Sequence, residues 1–387
     1  MLKIKYPKNR QAFEKEFLGQ LAVTGIQKNY EKLKKKAPLS KLKLPDDVTE
    51  ILTGPIEKIA RWSFDVVQHQ KCQPECGKKG RGAKKCKPGC LRKELLSTFN
   101  YGYYDTVISA FFLQQQKNSV LNLKTCFFCN MTFIYAFENK PEYINKENFY
   151  WLAPAKAFHG IAYTRQLAVK KLLDAREAKI PFKDLSAQQK GIVEHDFLKA
   201  GLMKKHFTLD HFLHKSLHPL LGLSLYNFVP SCYACNSLMK GDKAIAEFAT
   251  EVDLSPTHSD FKLQKEFQFR LYFNEDCNLI AKSDDFLLLH NRTAKSNRRY
   301  LNIFKILPRY RFHKDIILDL IKKSQQYPDS RIQEMADQVG LDWQSLKEHI
   351  YGKNLFHGDC AAQPMTKMLR DVAEDIELTG TKSSADT

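Results

Sequence analysis

Residues 207–242, FTLDHFLHKSLHPLLGLSLYNFVPSCYACNSLMKGD, combine an Asp-His pair, two asparagines and a Cys-x-x-Cys motif within one short span. A hydrophobic core needs none of these side chains. Thiolate, imidazole and carboxylate groups are instead the usual ligands of protein-bound metals, and imidazole is also the commonest general base. We therefore expect this stretch to fold around a metal ion, to use one in a reaction, or to do both.

The rest of the composition sets the class of protein. A chain of 387 residues with 43% hydrophobic and 27% charged residues is typical of a soluble globular protein with two or three domains. No apolar run approaches the roughly 18 residues of a membrane-spanning helix, and the N-terminal residues lack the apolar segment of a secretory signal. The expectation is a cytoplasmic protein that does not contact membranes.

Positive charge is in excess and unevenly spread. The formal net charge is +18, and residues 1–95 alone hold 23 basic and 10 acidic side chains. Such a field attracts polyanions, of which nucleic acid is the commonest. The alternative is a lysine-rich surface that serves solubility. The clustering favours contact with nucleic acid.

Eight of the ten cysteines fall into closely spaced pairs. A cytosolic chain keeps its thiols reduced, so paired cysteines of this kind indicate zinc rather than disulfides. Cys277 and Cys360 stand apart and are interpreted as ordinary thiols. The pairs are Cys72/Cys76, Cys86/Cys90, Cys126/Cys129 and Cys232/Cys235.

The last two pairs predict a structural zinc site. Each Cys-x-x-Cys motif offers two thiolates on one tight turn, and the two motifs together complete a tetrahedral four-sulfur shell. A shell of four thiolates leaves no position for water, so the metal would hold the fold and not react. The alternative is four independent core cysteines at 126, 129, 232 and 235.

The first two pairs predict a second zinc site, which would bring the total from one to two per chain. They lie in a segment of lysine and glycine that has no apolar residues to fold around, so a metal would have to give it shape. The result would be a rigid basic finger over residues 72–90, whereas without metal the segment is a flexible tether. Its candidate nucleic-acid contacts are Lys78, Lys79, Arg81, Lys84 and Lys85.

Periodicity predicts an α+β protein that is mostly helical. The first region, 1–100, is basic and helical and contains the finger. The second, 101–260, holds the reactive motifs, with a strand at HFTLDHF, a helix from CYAC onward, and a helical insertion over about 140–205. The third, 261–387, begins with two strand-like runs, FQFRLYF and NLIAKSDDFLLL, and continues as helices.

The motifs within residues 126–245 resemble the HNH, or ββα-metal, nuclease family. That family runs strand, Asp-His, loop, Asn, then Cys-x-x-Cys-Asn-x-x-Lys-Gly, and LDH, YN and CYACNSLMKGD follow this order with one additional residue before Lys240. The resemblance implies a ββα-metal core flanked by a structural four-cysteine zinc site, as in a bacterial subgroup of the family. The first hundred residues lie outside it.

The resemblance and the chemistry imply the same roles. Asp210 and the carboxamide of Asn236 are hard oxygen ligands suited to Mg²⁺ or Mn²⁺, and His211 has the pKa range of a general base for water. By the family pattern, Asn227 braces the loop through hydrogen bonds, and we expect Lys240 to meet a phosphate. The sequence thus predicts a metal-dependent HNH endonuclease, a hydrolase acting on phosphodiester bonds.

Three other histidines near these motifs are not expected to act as the general base or as metal ligands. His214 and His218 are expected to face substrate or solvent, and His258 is not expected to be a ligand or a base.

Several functional questions stay open at this point. One alternative is a zinc-scaffolded nucleic-acid-binding protein without catalysis, and another is a nuclease that cleaves RNA, such as tRNA. DNA is favoured, although no aromatic RNA-binding motif or other feature decides between the two substrates. Nucleases of this bacterial subgroup often belong to anti-phage defence systems beside an ATPase, which implies such a partner by analogy alone.

Overall fold

The computed structural model describes residues 1–69, 90–138, 143–158, 163–200, 203–273, 280–292 and 294–379, and shows a mostly helical α+β protein. The helices are α1 (Arg10–Gly19), α2 (Val23–Lys34), α3 (Thr49–Thr53), α4 (Ile56–His69), α5 (Leu91–Thr98), α6 (Tyr101–Lys117), α7 (Lys146–Leu152), α8 (Tyr163–Glu177), α9 (Ala187–Ala200), α10 (Leu263–Glu266), α11 (Lys295–Ile303), α12 (Ile306–Arg311), α13 (Lys314–Gln326), α14 (Asp329–Val339), α15 (Trp343–Tyr351), α16 (Lys353–Phe356) and α17 (Thr366–Asp375). The strands are β1 (Ala136–Glu138), β2 (Met203–Lys205), β3 (Thr208–His211), β4 (Phe228–Ser231), β5 (Phe269–Phe273) and β6 (Phe286–His290), and a π-helix spans Ala234–Lys240.

The chain forms two compact units. The larger unit comprises Met1–Tyr135 and Phe207–Thr387, and the smaller one comprises Ala136–His206. The three regions that the sequence suggests do not appear as separate units, because residues near both ends of the chain share one hydrophobic core with the middle. Phe17, Phe228 and Val372, for example, are fully buried in the same cluster.

The centre of the larger unit is the antiparallel hairpin β3–β4. Its register places His211 opposite Phe228 and Thr208 opposite Ser231, and the π-helix follows directly. The prediction of a strand at β3 is confirmed. The sequence assigns no element to residues 228–231, where the structure has β4, and it predicts an α-helix from Cys232 onward, where the structure has a π-helix. Proline at position 230 lacks a donor and weakens the strand pattern, while the helix is short and has π geometry.

Helix α4 covers the loop that joins the two strands. Its buried residues recur at helical spacing and face the loop, as expected for an amphipathic helix. Ser224 in the loop donates a hydrogen bond to the carbonyl oxygen of Ile51 at 2.7 Å. The N-terminal helices therefore form one wall of the region that carries the Asp-His pair. The buried residues of α4 are Ile56, Ile59, Ala60, Ser63 and Val66.

The predicted strand pair of the C-terminal region is present as the antiparallel pair β5–β6. Its edge is closed by α17, whose Asp371 and Asp375 accept hydrogen bonds from the backbone amides of Phe269 and Leu271 at 2.9 and 2.8 Å. These carboxylates satisfy donors that an exposed edge strand would leave open to other chains. The remainder of this region is helical, as its periodicity indicates.

The smaller unit has its own core. Helices α7, α8 and α9 bury Phe149, Leu172 and Val193 among themselves. Its first and last strands pair antiparallel, with Ala136 opposite Lys205, so that the two ends of the unit lie next to each other.

Within the described part of the chain, no helix combines the length and the apolar character needed to cross a bilayer.

Candidate functional site

Four buried thiols from two distant segments meet in the larger unit. The sulfur atoms of Cys126, Cys129, Cys232 and Cys235 all lie within 4.8 Å of one another. A tetrahedral zinc ion with Zn–S bonds of about 2.3 Å holds its sulfurs roughly 3.8 Å apart, so the cluster has the donors and nearly the dimensions of such a site. The buried cluster could hold a zinc ion, as the spacing of the two motifs predicts.

Backbone hydrogen bonds shape the first of the two motifs. The Cys126 amide donates to the Thr132 carbonyl at 3.0 Å, and the Asn130 amide donates to the Cys126 carbonyl at 2.7 Å. Asn130 adopts a left-handed conformation, with φ at 53°, which reverses the chain. The Met131 amide then points at the Cys129 sulfur at 3.4 Å. Such an N–H···S contact stabilises a thiolate.

The second motif is continuous with the π-helix. The amide of Asn236 donates to the carbonyl of Cys232 at 3.1 Å, and the amide of Gly241 donates to the carbonyl of Asn236 at 2.9 Å. The latter bond spans five residues, the π-helical pattern that often occurs at functional sites. The additional residue between the cysteines and Lys240 is accommodated in this wider turn.

An arginine lies against the sulfur cluster. The guanidinium of Arg309, on α12, donates to the sulfur of Cys235 at 3.5 Å and to that of Cys129 at 3.8 Å. The neighbouring Tyr310 donates its hydroxyl to the carbonyl of Cys129 at 2.6 Å. Zinc with four thiolates carries a net charge of about −2, which this cation partly offsets. The cluster thereby attaches the C-terminal helices to the hairpin.

The ring of His211 is held in one orientation. Its Nε2 lies 3.0 Å from the carbonyl oxygen of Gly222, and the rings of Tyr101 and Phe228 pack edge-on against it at 4.7 and 4.9 Å between centroids. A carbonyl only accepts hydrogen bonds, so Nε2 carries the proton and Nδ1 is left as the acceptor. Burial lowers the pKa of His211 to about 3, which keeps the ring neutral at physiological pH.

The carboxylate of Asp210 is buried beside it. Its Oδ1 accepts a hydrogen bond from Lys240 Nζ at 3.0 Å, and the same ammonium donates to the carbonyl of His211 at 2.8 Å. Burial raises the pKa of Asp210 to about 6, although the charge of Lys240 acts in the opposite direction. The other oxygen, Oδ2, is buried and has no hydrogen-bond partner in the described structure.

Lys240 differs in position from the sequence expectation. Instead of meeting a phosphate, its side chain is only 1% exposed and points inward to Asp210. The physical reason is the π-helix, which directs residue 240 toward β3. An ammonium in this position neutralises a buried carboxylate and cannot reach a ligand at the surface.

The two predicted magnesium ligands have oxygen atoms to offer. Asp210 presents the unpartnered Oδ2, a hard donor in a buried position. Asn236 is partly exposed at the start of the π-helix, which packs against β3, and its carboxamide makes no hydrogen bond to any described residue. Each residue thus offers an oxygen of the kind that magnesium binds, and a magnesium site at Asp210 and Asn236 stays a prediction.

Asn227 ties the two ends of the loop together. Its Oδ1 accepts from the amide of Leu213 at 2.8 Å, and its Nδ2 donates to the carbonyls of Leu213 and Leu221 at 3.0 and 3.1 Å. The side chain is fully buried. All of these partners are backbone groups of the loop.

Both His214 and His218 are expected from the sequence to face substrate or solvent. This is wrong for His218, which is buried, and His214 is only partly exposed. His218 is buried under α4, where its Nδ1 lies 3.0 Å from the hydroxyl of Ser63, so it faces neither solvent nor substrate. His214 is half-buried, with Nε2 at 3.0 Å from the carboxylate of Asp242. His258 lies 4.0 Å from Glu57 and belongs to neither centre.

Sequence reasoning missed three residues around the Asp-His pair. Tyr101, at the start of α6, contacts the His211 ring, and the ammonium of Lys215 lies 4.4 Å from the centre of the Tyr101 ring. Arg92, on α5, is 5% exposed, and its Nε has no partner in the described structure. Arg92 and Tyr101 carry no motif, and the folding of α5 and α6 onto the loop brings them close, whereas Lys215 lies in the loop itself.

The second predicted zinc site falls largely outside the described residues. Cys72, Cys76 and Cys86 lie there, together with the five basic residues of the finger. Cys90, which precedes α5, is described and half-buried. The finger and its contacts with nucleic acid stay predictions.

We predict that Cys232→Ser removes one zinc ion per chain and lowers Tm by about 10 °C, because three thiolates leave a structural shell incomplete. Zinc is measured by elemental analysis of protein purified without chelators, and Tm by calorimetry. Cys360→Ser is the matched control, since that cysteine is buried but lies outside the cluster. A folded Cys232→Ser protein with unchanged zinc content would show that the four sulfurs do not share a metal.

Comparison with protein-family models, with curated proteins and with solved structures finds no match for this chain. The resemblance to HNH nucleases is therefore carried by the motifs of residues 126–245 themselves.

Proposed function

We propose that this protein is a metal-dependent endonuclease of the HNH type that hydrolyses phosphodiester bonds in nucleic acid, with DNA as the favoured substrate. Three features support the proposal: the order of hairpin and helix around the Asp-His pair, the zinc-type sulfur cluster beside them, and an unpartnered buried carboxylate oxygen on Asp210. The anti-phage setting and an ATPase partner stay predictions of the sequence resemblance.

The observation that carries the proposal is the fixed orientation of His211. With the proton held on Nε2 by the Gly222 carbonyl, Nδ1 is a neutral acceptor with no partner among the described residues. A general base in hydrolysis needs such a nitrogen, positioned and deprotonated, to take the proton from an attacking water. A histidine that only fills a core would more commonly use both nitrogens in hydrogen bonds.

Asp210 and Asn236 would hold the metal. A magnesium ion there would act as a Lewis acid on the phosphate and on the leaving oxygen. Asp210 must be ionised for this role, and Lys240 keeps it so above its raised pKa of about 6. Tyr101 and Phe228 keep bulk water from the ring of His211 and fix its plane.

A second candidate is a nucleic-acid-binding protein without catalysis. The Lys240–Asp210 ion pair favours it, because the ammonium already neutralises the carboxylate that would bind magnesium. Incubating the purified protein with plasmid, linear DNA and total tRNA, each with Mg²⁺, Mn²⁺ or EDTA, separates the candidates. Cleavage that requires the metal supports the nuclease, whereas binding without cleavage in every lane supports the second candidate.

We predict that His211→Gln lowers the cleavage rate by about 10²–10⁴-fold while leaving nucleic-acid affinity unchanged. Glutamine can keep an N–H donor toward Gly222 but has no basic nitrogen, so it tests the base without emptying the packed site as alanine would. Rates are measured in single turnover. His258→Gln is the control and should cleave normally. A rate for His211→Gln within a few-fold of wild type would remove His211 from the mechanism.

We also predict an acidic limb in the pH profile near pH 6. Burial raises the pKa of Asp210 to about 6, so the carboxylate gains a proton below that pH and binds a cation more weakly. His211, with a pKa lowered to about 3, stays neutral throughout and adds no inflection in this range. At low magnesium the rate should fall about tenfold per pH unit below the inflection, which should move to lower pH as magnesium is raised.

The variant Lys240→Met checks the assignment of that inflection. Removing the ammonium takes away the charge that lowers the pKa of Asp210, so the acidic limb should move to higher pH. If the pH of the inflection changes neither with the magnesium concentration nor with this substitution, the inflection belongs to a group other than Asp210.

A further inference from the structure

A basic groove lies beside the π-helix, between the segment that follows it and α11. It is an open depression of about 650 Å³. None of its lining side chains is acidic, and only one is aliphatic, so it does not suit an apolar ligand. The lining residues are Lys243, Lys295, Arg298, Arg299, Asn302, Ile303 and Lys305.

Three of these cations have no partner among the residues that the structure describes. The side chains of Lys295, Arg298 and Lys305 are exposed and make no hydrogen bond or ion pair with the residues that the structure describes. Arg299 differs, because it pairs with Glu247 at 3.0 Å and Glu251 at 2.7 Å. Arg299 therefore offsets one of these two carboxylate charges. No acidic side chain among the described residues pairs with the three exposed cations, so the groove keeps a net positive charge.

One residue that lines the groove, Lys243, is adjacent in sequence to a residue that contacts the loop of the Asp-His pair. Lys243 directly follows Asp242, whose carboxylate lies 3.0 Å from Nε2 of His214, and neighbouring Cα atoms are about 3.8 Å apart. His214 is three residues from His211 along the loop that follows β3. A chain of phosphates bound in the groove would therefore lead toward His211.

We infer that this groove binds the phosphate backbone of the nucleic acid on which the Asp-His pair acts. Exposed lysine and arginine side chains without carboxylate neighbours are the usual contacts to phosphate oxygens, and such contacts position a strand without reading its sequence. With Lys240 turned inward, these cations take over the phosphate-binding role predicted for that residue. The inference rests on the proposed function.

The test is a charge reversal of the three unpartnered cations, Lys295→Glu, Arg298→Glu and Lys305→Glu, in the full-length protein. Affinity for a fluorescent DNA duplex is measured by anisotropy in EDTA over a range of salt concentrations, so that cleavage does not intervene. We predict a Kd at least about tenfold weaker, and a slope of log affinity against log salt that flattens by about 0.9 for each phosphate that the variant no longer neutralises.

The matched control reverses three exposed cations elsewhere in the same unit, Lys322→Glu, Lys323→Glu and Lys353→Glu, whose side chains also make no hydrogen bond or ion pair with described residues. Both triple variants have the same net charge, so a difference between them reports the location of the charge and not its amount. Equal affinities and equal slopes for the two variants would overturn the inference. That result would also be expected if the groove received an acidic protein segment.

The outcome is separable from that of the proposed function. Binding in EDTA does not depend on cleavage, so a defect confined to the groove variant would stand even if the wild-type protein cleaved nothing. Conversely, if the wild-type protein cleaves DNA and the groove variant binds it normally, the nuclease proposal is supported and the inference that the groove binds phosphate is overturned.

Discussion

The arrangement of the larger unit depends on the meeting of four sulfurs. Two of them belong to a turn near residue 126 and two to a turn that ends β4, so the cluster joins segments about a hundred residues apart. The second turn runs without interruption into the π-helix. The direction of that helix, and with it the position of Lys240 against Asp210, is consequently fixed at the cluster end. The position of the Asp-His pair therefore depends on the sulfur cluster.

The same cluster also organises the C-terminal helices. Arg309 reaches two of the sulfurs, and Tyr310 reaches the backbone of the first turn. Helix α11 precedes α12 by only two residues and carries most of the basic groove. A single electrostatic centre therefore holds in place both the Asp-His pair and the surface proposed to deliver substrate to it.

The sequence predicted the elements that depend on local spacing. The sulfur pairs, the strand before Asp210 and the strands β5 and β6 follow from motifs and alternation within a few residues. The orientations of individual side chains could not be predicted from the sequence, because they depend on contacts with residues far away in the chain. His218 is buried by α4, which lies some 150 residues earlier in the chain, and Lys240 turns inward because its helix is of the π type. The groove is lined by Lys243 and by residues within 295–305. No sequence motif links these two segments, so the groove could not be predicted from the sequence.

The pairing of β1 with β2 changes the entropy of closing the loop that joins the two cysteine motifs. Cys129 and Cys232 are separated by about a hundred residues, yet the contact between Ala136 and Lys205 bridges most of that length. Once the smaller unit has formed, only about 35 residues of loop remain to be closed, which reduces the entropic cost by about 1 kcal/mol. The inserted unit thus affects the sulfur cluster through chain connectivity, because its folding shortens the flexible path between the two cysteine motifs.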